Sequence, residues 1–207
     1  MAELARTYWP PLYAYLRRHG QSPQQAEDLT QAFFARLIEH NDLRSVDSAK
    51  GKFRSFVLAA LRHFVSNQRD KERAQKRGGG VRTISLSAGE AESGYSLDPV
   101  DTLTPEQVFN RRWALTVLTR VIECLQAEYR RRDQLPLFEA LHGTLTGEIT
   151  AGYATLAGRL GTTEGALQVA AHRMRKRYRE LLRDEVAQTV TDPALVDEEL
   201  RELLNSL

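Results

Sequence analysis

Residues 153–179 have the sequence YATLAGRLGTTEGALQVAAHRMRKRYR, whose spacing is typical of a helix-turn-helix. Small and apolar side chains mark one face of a short first helix, which Gly161 can end by adopting a positive φ. Thr162 or Thr163 can then cap a second helix, whose dipole is complemented by Glu164 in the first turn. Core residues of that second helix recur in steps of four, three and four, at Leu167, Ala171, Met174 and Tyr178.

The opposite face of this second helix is polar and basic. A helix that lies in a major groove between two phosphate backbones needs base-reading side chains and cations on the same side. The pattern therefore predicts DNA binding, against the alternative of an ordinary surface helix with a solvated basic face. The candidate DNA-binding residues here are Thr163, Gln168, His172, Arg173, Lys176 and Arg179.

The composition is that of a soluble globular protein with one or two domains. Of the 207 residues, 42% are hydrophobic and 27% are charged. No run of about 18 apolar residues exists, so we expect no membrane span and a cytoplasmic location. The single cysteine excludes an intramolecular disulfide and a cysteine-rich zinc site. Because Cys124 lies in an apolar helical pattern, we expect it to pack as a small hydrophobic residue.

Charge is distributed unevenly along the chain. The formal net charge is only +2, but residues 184–207 hold seven acidic side chains and one basic one, Arg201. Without this segment 28 basic and 20 acidic residues remain, a net charge of +8. The body of the chain is therefore basic and its C-terminal segment acidic.

Helical patterns dominate the sequence, which predicts an all-α fold. A first helix covers residues 4–19, with Pro10 and Pro11 either kinking it or marking its start. A capping box at residues 22–25, SPQQ, opens a second helix. A third helix has one apolar stripe, formed by Phe53, Phe56, Val57, Ala60, Leu61 and Phe64.

Glycine and small residues then interrupt the helical pattern until a second capping box at residues 104–107, TPEQ. We therefore predict two small helical domains, residues 1–77 and 104–186, joined by a flexible linker at residues 78–103. The second domain contains the helix-turn-helix. Residues 187–207 form an acidic C-terminal extension that we expect to be an amphipathic helix.

Three segments, in this order, carry a family resemblance: AEDLTQAF at residues 26–33, KGKFRSF at residues 50–56 followed by ALR at residues 60–62, and GTTEGAL at residues 161–167. They resemble the bacterial sigma factors of the extracytoplasmic-function type, the two-domain promoter-recognition subunits of RNA polymerase. The resemblance implies partners: core RNA polymerase and promoter DNA. It leaves open an anti-sigma factor or a regulatory kinase, for which Thr30 is a candidate target.

The resemblance assigns polymerase binding to the second helix. Glu27, Asp28 and Gln31 can meet an arginine-rich partner helix with charge-assisted bonds, and Phe34, if partly exposed, would be the apolar anchor. The alternative is that these acids only favour the first turn of their own helix.

The resemblance assigns recognition of the minus-ten element to the third helix and to the loop at residues 41–52, which would capture a flipped base. Cations there can follow phosphates, a salt-sensitive interaction, against the alternative of a solvated helix end. The candidate residues are Lys50, Lys52, Arg54, Arg62, Asn67, Arg69 and Arg73.

The recognition helix departs from the family pattern. Where the family often has Lys, Ser and Arg, this chain has Gln168, Val169 and Ala170. Readout of the minus-thirty-five element would therefore depend on Gln168, His172 and Arg173.

No catalytic, metal or cofactor site is expected. The five histidines lie on separate helices or helix ends without zinc-ligand spacing, and no phosphate-binding glycine loop exists. The main alternative to a sigma factor is a helix-turn-helix transcriptional regulator with an N-terminal sensing or dimerisation domain. A purely structural helical module is a third possibility.

The acidic extension carries its own helix signals. Asp192 and Pro193 fit an N-cap and a first helical residue, and apolar residues recur at Val196, Leu200, Leu203, Leu204 and Leu207. Acidic side chains, Asp197, Glu198, Glu199 and Glu202, are expected to cover the remaining faces. Two alternatives follow: the helix completes the core of the C-terminal domain, or it docks on a basic surface of its own chain and restrains activity.

Overall fold

The computed structural model describes residues 2–39, 51–76, 102–147 and 152–207. Over these residues the chain is helical without a strand, and one isolated antiparallel bridge joins Lys52 to Val190. The all-α prediction is confirmed. Most of the predicted linker and most of the loop at residues 41–52 lie outside the described residues. In the described part no helix has both the length and the apolarity to cross a membrane.

Two compact units divide the chain. The first combines Met1–Thr116 with Thr189–Leu207, and the second is Val117–Gln188. The boundary between the units therefore falls inside a helix instead of at the second capping box. The assignment of functions to residues 1–77 and 104–186 stays a prediction.

The first unit begins with helix α1, Ala2–Arg18, and helix α2, Pro23–Glu39, which pack on each other. Pro10 and Pro11 lie inside α1 without ending it. Each removes an amide donor, but Leu12 and Leu16 in the following turns are fully buried and hold the helix in place. The predicted capping box of α2 is confirmed, since the amides of Ser22 and Gln25 donate to each other's side-chain oxygens at 3.1 and 3.2 Å.

Helix α3, Phe53–Lys76, and helix α4, Pro105–Arg131, follow in the chain. The second predicted capping box begins α4, where the Gln107 amide donates to Thr104 Oγ1 at 3.2 Å. The early turns of α4 bury Phe109 and Trp113 in the first unit. The prediction that Cys124 is packed in the core is wrong: this side chain is exposed, because it lies beside the buried stripe of α4 and not in it.

The second unit completes the helix-turn-helix. After α4 come α5, Leu135–Leu141, the short α6, Gly143–Thr146, then α7, Tyr153–Leu160, and α8, Glu164–Ala187. The predicted core of α8 is confirmed: Ala171 and Met174 pack with Leu125 and Phe138, and Tyr178 is half-buried beside them. A smaller cluster of Leu156, Ala157 and Leu167 joins α7 to α8.

Two ion pairs connect α4 to α8 inside the second unit. Arg120 Nε lies 2.9 Å from Glu185 Oε1, and Arg177 Nη2 lies 2.7 Å from Glu128 Oε1. The hydrogen bonds from Arg177 lower the pKa of Glu128, although partial burial alone would raise it.

The acidic extension belongs to the first unit. The Phe53 amide donates to the Thr189 carbonyl at 2.9 Å, and the Thr191 amide donates to the Gly51 carbonyl at 3.2 Å. The cap at Asp192 is confirmed, because its Oδ1 accepts from the Ala194 amide at 2.8 Å. A single 3₁₀ turn, Pro193–Leu195, leads into helix α9, Val196–Asn205. The alternative in which this helix completes the core of the C-terminal domain is wrong, since residues 189–191 pair with the start of α3.

The Glu128–Arg177 pair gives a pH-dependent prediction for the second unit. We expect Glu128→Gln to lower the free energy of unfolding at pH 7 by about 1 kcal/mol, a modest cost because Arg177 is partly exposed. The carboxylate has a lowered pKa in the folded state, so its contribution is complete above the ordinary value of 4.5 and is lost as pH falls through the folded value. Urea unfolding at pH 7 and at acidic pH measures this, and an equal difference at both would contradict it.

Candidate polymerase and nucleic-acid interfaces

The predicted polymerase-binding face of α2 is open to solvent. Asp28 and Gln31 are exposed and Glu27 is half-buried, while Ala26 and Thr30 on the other side of the helix are fully buried. Neither Glu27 nor Asp28 forms an ion pair with another described residue. Both carboxylates are therefore available for a cationic partner.

Phe34 does not belong to this face. Its side chain is only 7% exposed, and its ring stacks on Trp9 with centroids 5.7 Å apart. Because α1 covers it, Phe34 is a core residue and its prediction as an exposed anchor is wrong. The exposed large apolar side chain of α2 is Ile38, at 56% exposure, seven residues after Gln31 and so on the same side of the helix. The sequence could have indicated this exposure, because Ile38 lies outside the buried stripe formed by Ala26, Thr30, Phe33 and Leu37.

Thr30 is not accessible to a kinase in this structure. The residue is fully buried, and its hydroxyl donates to the Ala26 carbonyl at 2.6 Å within α2. A short β-branched side chain in the buried stripe satisfies its hydroxyl in this way. The hypothesis of phosphorylation at Thr30 is therefore wrong for the folded chain.

The outer face of α3 keeps part of its predicted cationic character. Asn67 and Arg69 are exposed, and Arg62 is half-exposed. Arg62 Nε donates to the Tyr15 hydroxyl at 3.4 Å and Arg62 Nη2 pairs with Glu106, and these hydrogen bonds raise the pKa of Arg62. Arg62 and Arg69 border an open groove of about 450 Å³. Lys50 and the side chain of Arg73 lie outside the described residues.

A smaller pocket of about 200 Å³ lies between α2 and α3. Aromatic rings of Phe33, Phe56 and Phe64 line it. Its polar lining residues are Arg36, His63 and Asn67, and the Arg36 guanidinium lies 5.9 Å from the centre of the Phe64 ring. Of these polar residues the sequence predicted only Asn67, because the pocket forms where two helices meet.

Lys52 is occupied by the acidic extension. Its Nζ lies 2.6 Å from Glu198 Oε1 and 3.7 Å from Glu199 Oε2, and it also bonds to Glu202. Only 14% of the Lys52 side chain remains exposed. As the chain is folded here, Lys52 is not a free phosphate-binding cation.

Arg54 is buried, so its prediction as an outward-facing DNA contact is wrong. It precedes Val57 by three residues and Leu61 by seven, which places it on the buried stripe of α3. The guanidinium donates two hydrogen bonds to the Glu199 carboxylate, from Nε to Oε1 at 2.5 Å and from Nη2 to Oε2 at 3.2 Å. It also bonds to Glu202.

The first turns of α4 complete the surroundings of Arg54. Its Nη1 donates to Asn110 Oδ1 at 2.7 Å, and its guanidinium carbon lies 5.0 Å from the centre of the Trp113 ring. Glu199 is fully buried, so the prediction that it lies on the solvated side of the extension is wrong. The two buried charged groups, the Arg54 guanidinium and the Glu199 carboxylate, are therefore each paired with an opposite charge.

The recognition helix presents its predicted face to solvent. Gly161 adopts φ 62° at the end of α7, and Thr163 Oγ1 caps α8 by accepting from the Ala166 amide at 3.2 Å. The predicted side chains that follow are all exposed, namely Gln168, His172, Arg173, Lys176 and Arg179. Val169 lies among them at 50% exposure and adds an apolar contact point to this face.

Residues 4–75 match the family model of sigma-70 region 2. The match covers nearly all of α1, all of α2 and nearly all of α3, 72 of the 207 residues, and it supports a sigma factor role in transcription initiation. Proteins of this family are transcription factors without enzymatic activity. No curated protein and no solved structure matches the chain in the same comparisons.

The matched region contains two groups of basic residues, one exposed to solvent and one paired with carboxylates. Arg62 and Arg69 face solvent, whereas Lys52 and Arg54 are held by carboxylates from outside the matched region. Sequence patterns could not distinguish the two groups, because the carboxylates are more than 140 residues away in the chain.

The buried ion pair predicts a large effect on stability. We expect Glu199→Ala to lower the free energy of unfolding of the first unit by about 3 kcal/mol, because it leaves Arg54 buried with Glu202 as its only carboxylate partner. Replacing both partners, Arg54→Met with Glu199→Leu, should recover much of that loss. Urea unfolding measures both variants, and a cost below about 1 kcal/mol for Glu199→Ala, the level of an exposed pair, would contradict the structural role.

Proposed function

We propose that this protein is a sigma factor of the extracytoplasmic-function type that directs both recognition and melting of promoter DNA. The observation that carries the proposal is the presence, in one chain, of a region 2 match and a helix-turn-helix with an exposed basic face. Residues 1–77 would bind core polymerase and the minus-ten element, and residues 104–186 the minus-thirty-five element.

Polymerase binding is assigned to the exposed side of α2. Asp28 and Gln31 supply charge and hydrogen bonds to a cationic partner helix, with Glu27 at the margin. Ile38, and not Phe34, supplies the apolar contact.

Melting of the minus-ten element is assigned to α3 and its pocket. Arg62, Asn67 and Arg69 can hold the phosphates of a separated strand. The pocket between α2 and α3 offers aromatic rings for stacking and polar groups for the edge of an extruded base. Unstacking a base costs a few kcal/mol, about the gain that one stacked and hydrogen-bonded base provides.

Recognition of the minus-thirty-five element is assigned to α8. Gln168 and Arg173 carry groups that can bond to base edges, while Lys176 and Arg179 suit phosphate contacts. Val169 is well placed for a thymine methyl group, an apolar contact that the polar residues common in the family at this position would not make.

The first test concerns polymerase binding. We expect Asp28→Arg to weaken binding of core polymerase roughly thirtyfold, about 2 kcal/mol, through repulsion from a cationic partner. Ile38→Ser should cost about 1 kcal/mol by removing the apolar contact. Both residues are exposed, so thermal unfolding should be unchanged. Binding of labelled full-length chain to core enzyme at low salt measures the effect.

Asp70→Arg is the matched control for that test, since Asp70 is an exposed acid on α3 outside the α2 face. If Asp28→Arg and Asp70→Arg bound core polymerase equally well, the α2 assignment would be wrong. A gel shift without polymerase separates the regulator alternative, because only an operator-binding regulator should bind promoter duplex tightly and specifically by itself.

The second test separates phosphate contacts from base contacts on α8. Lys176→Gln or Arg179→Gln should weaken all promoters alike and reduce the dependence of affinity on salt, by about one unit of slope. Gln168→Ala or Arg173→Ala should instead change the preferred sequence, at about 1–3 kcal/mol for a contacted base pair. A promoter-library selection with holoenzyme measures both, and identical sequence preferences in the two classes of variant would refute the division.

A further inference from the structure

The acidic helix α9 brings more negative charge to the start of α3 than that site can neutralise. Three carboxylates, from Glu198, Glu199 and Glu202, surround two cations, Lys52 and Arg54. The cluster therefore carries a local net charge of −1. Without α9 the same place in the matched region would carry +2.

We propose that α9 is a built-in competitor of promoter DNA, whose carboxylates occupy cations that would otherwise bind nucleic-acid phosphates. The proposal rests on the proposed function of the region 2 match. Carboxylates and phosphates seek the same ammonium and guanidinium groups with the same charge-assisted hydrogen bonds. A site with net negative charge also repels the approaching strand, and this repulsion acts over about a Debye length, roughly 10 Å at 0.1 M salt.

The contact divides into an anchor and a rim. Arg54 and Glu199 are buried and keep α9 attached to the first unit. Lys52 pairs at the rim with Glu198 and Glu202, whose side chains remain 52% and 42% exposed. Burial alone would lower the pKa of Lys52, but its hydrogen bonds to Glu198 and Glu202 raise that pKa, so the ammonium stays charged. Glu202 also bonds to Arg54, but the two hydrogen bonds between Arg54 and Glu199 do not involve it. A phosphate can thus displace the rim carboxylates from Lys52 without breaking the buried Arg54–Glu199 pair.

The test removes the rim charges in the full-length chain. We expect the double variant Glu198→Gln and Glu202→Gln to raise the affinity of holoenzyme for a single-stranded oligonucleotide of the non-template minus-ten sequence roughly threefold at moderate salt, by freeing one cation. The slope of log affinity against log salt should become steeper by about 0.7, the value for one phosphate contact on a single strand. Fluorescence anisotropy over a salt series measures both.

Two controls make the result specific. Glu123→Gln with Glu139→Gln changes the net charge equally at exposed residues that pair with neither Lys52 nor Arg54. Adding Lys52→Gln to the rim variant should abolish the gain, because the cation for which the rim carboxylates and the phosphate compete is then absent.

The outcomes separate this proposal from the function on which it rests. A gain that depends on Lys52 and is absent from the control pair supports competition by α9. An equal gain in both pairs, no gain, or loss of folded structure in the rim variant would overturn it, even if wild-type holoenzyme initiates transcription normally. If the wild-type chain fails to bind core polymerase, the sigma-factor proposal itself fails, and this one with it.

Discussion

The buried ion pair of Arg54 and Glu199 is the interaction on which the first unit depends. A charge that is removed from water must be paired and hydrogen-bonded, and Arg54 meets this requirement with partners from two distant segments. The requirement joins the start of α3, the first turns of α4 and the C-terminal helix α9. It explains why the first compact unit includes residues 189–207 although the region 2 match ends at residue 75. Helix α4, which the capping box at Thr104 begins, therefore has its first turns in the first unit and its remaining turns in the second.

The same ion pair changes what the cations of α3 can do. The resemblance to sigma factors treats Lys52, Arg54, Arg62 and Arg69 as one DNA-binding set. In the structure they fall into two sets, because α9 covers the first two and solvent reaches the last two. Among the four, the guanidinium groups of Arg62 and Arg69 are therefore the ones accessible to a phosphate. Access to Lys52 depends on the position of α9, and the proposed competition would link promoter affinity to the acidic extension.

Burial also determines which residues of α2 can contact a partner protein. Its polar face is a candidate binding surface because Asp28 and Gln31 have no competing partner among the described residues. An aromatic anchor at Phe34 would have required solvent exposure, but stacking on Trp9 removes its ring from the surface. Ile38, one turn later, keeps an exposed apolar side chain. The surface proposed for polymerase is thus narrower and less aromatic than the sequence suggested, and its apolar contribution comes from the end of the helix.

Local signals in the sequence determined the helices, the caps and the helix-turn-helix. The Ser22 and Thr104 capping boxes, the left-handed Gly161 and the Asp192 cap all depend on groups within a few residues of each other, so their hydrogen bonds could be predicted from spacing. The core residues of α8 were predictable for the same reason. Tertiary structure decided the burial of Phe34 against Trp9 and of Arg54 against Glu199, whereas the helical spacing of Thr30, Ile38 and Cys124 already carried a signal for their burial or exposure. Tertiary structure also decided where α9 docks. From the sequence alone, Arg54 could contact water, a phosphate or a carboxylate, and only the fold brings Glu199, 145 residues later in the chain, into contact with it.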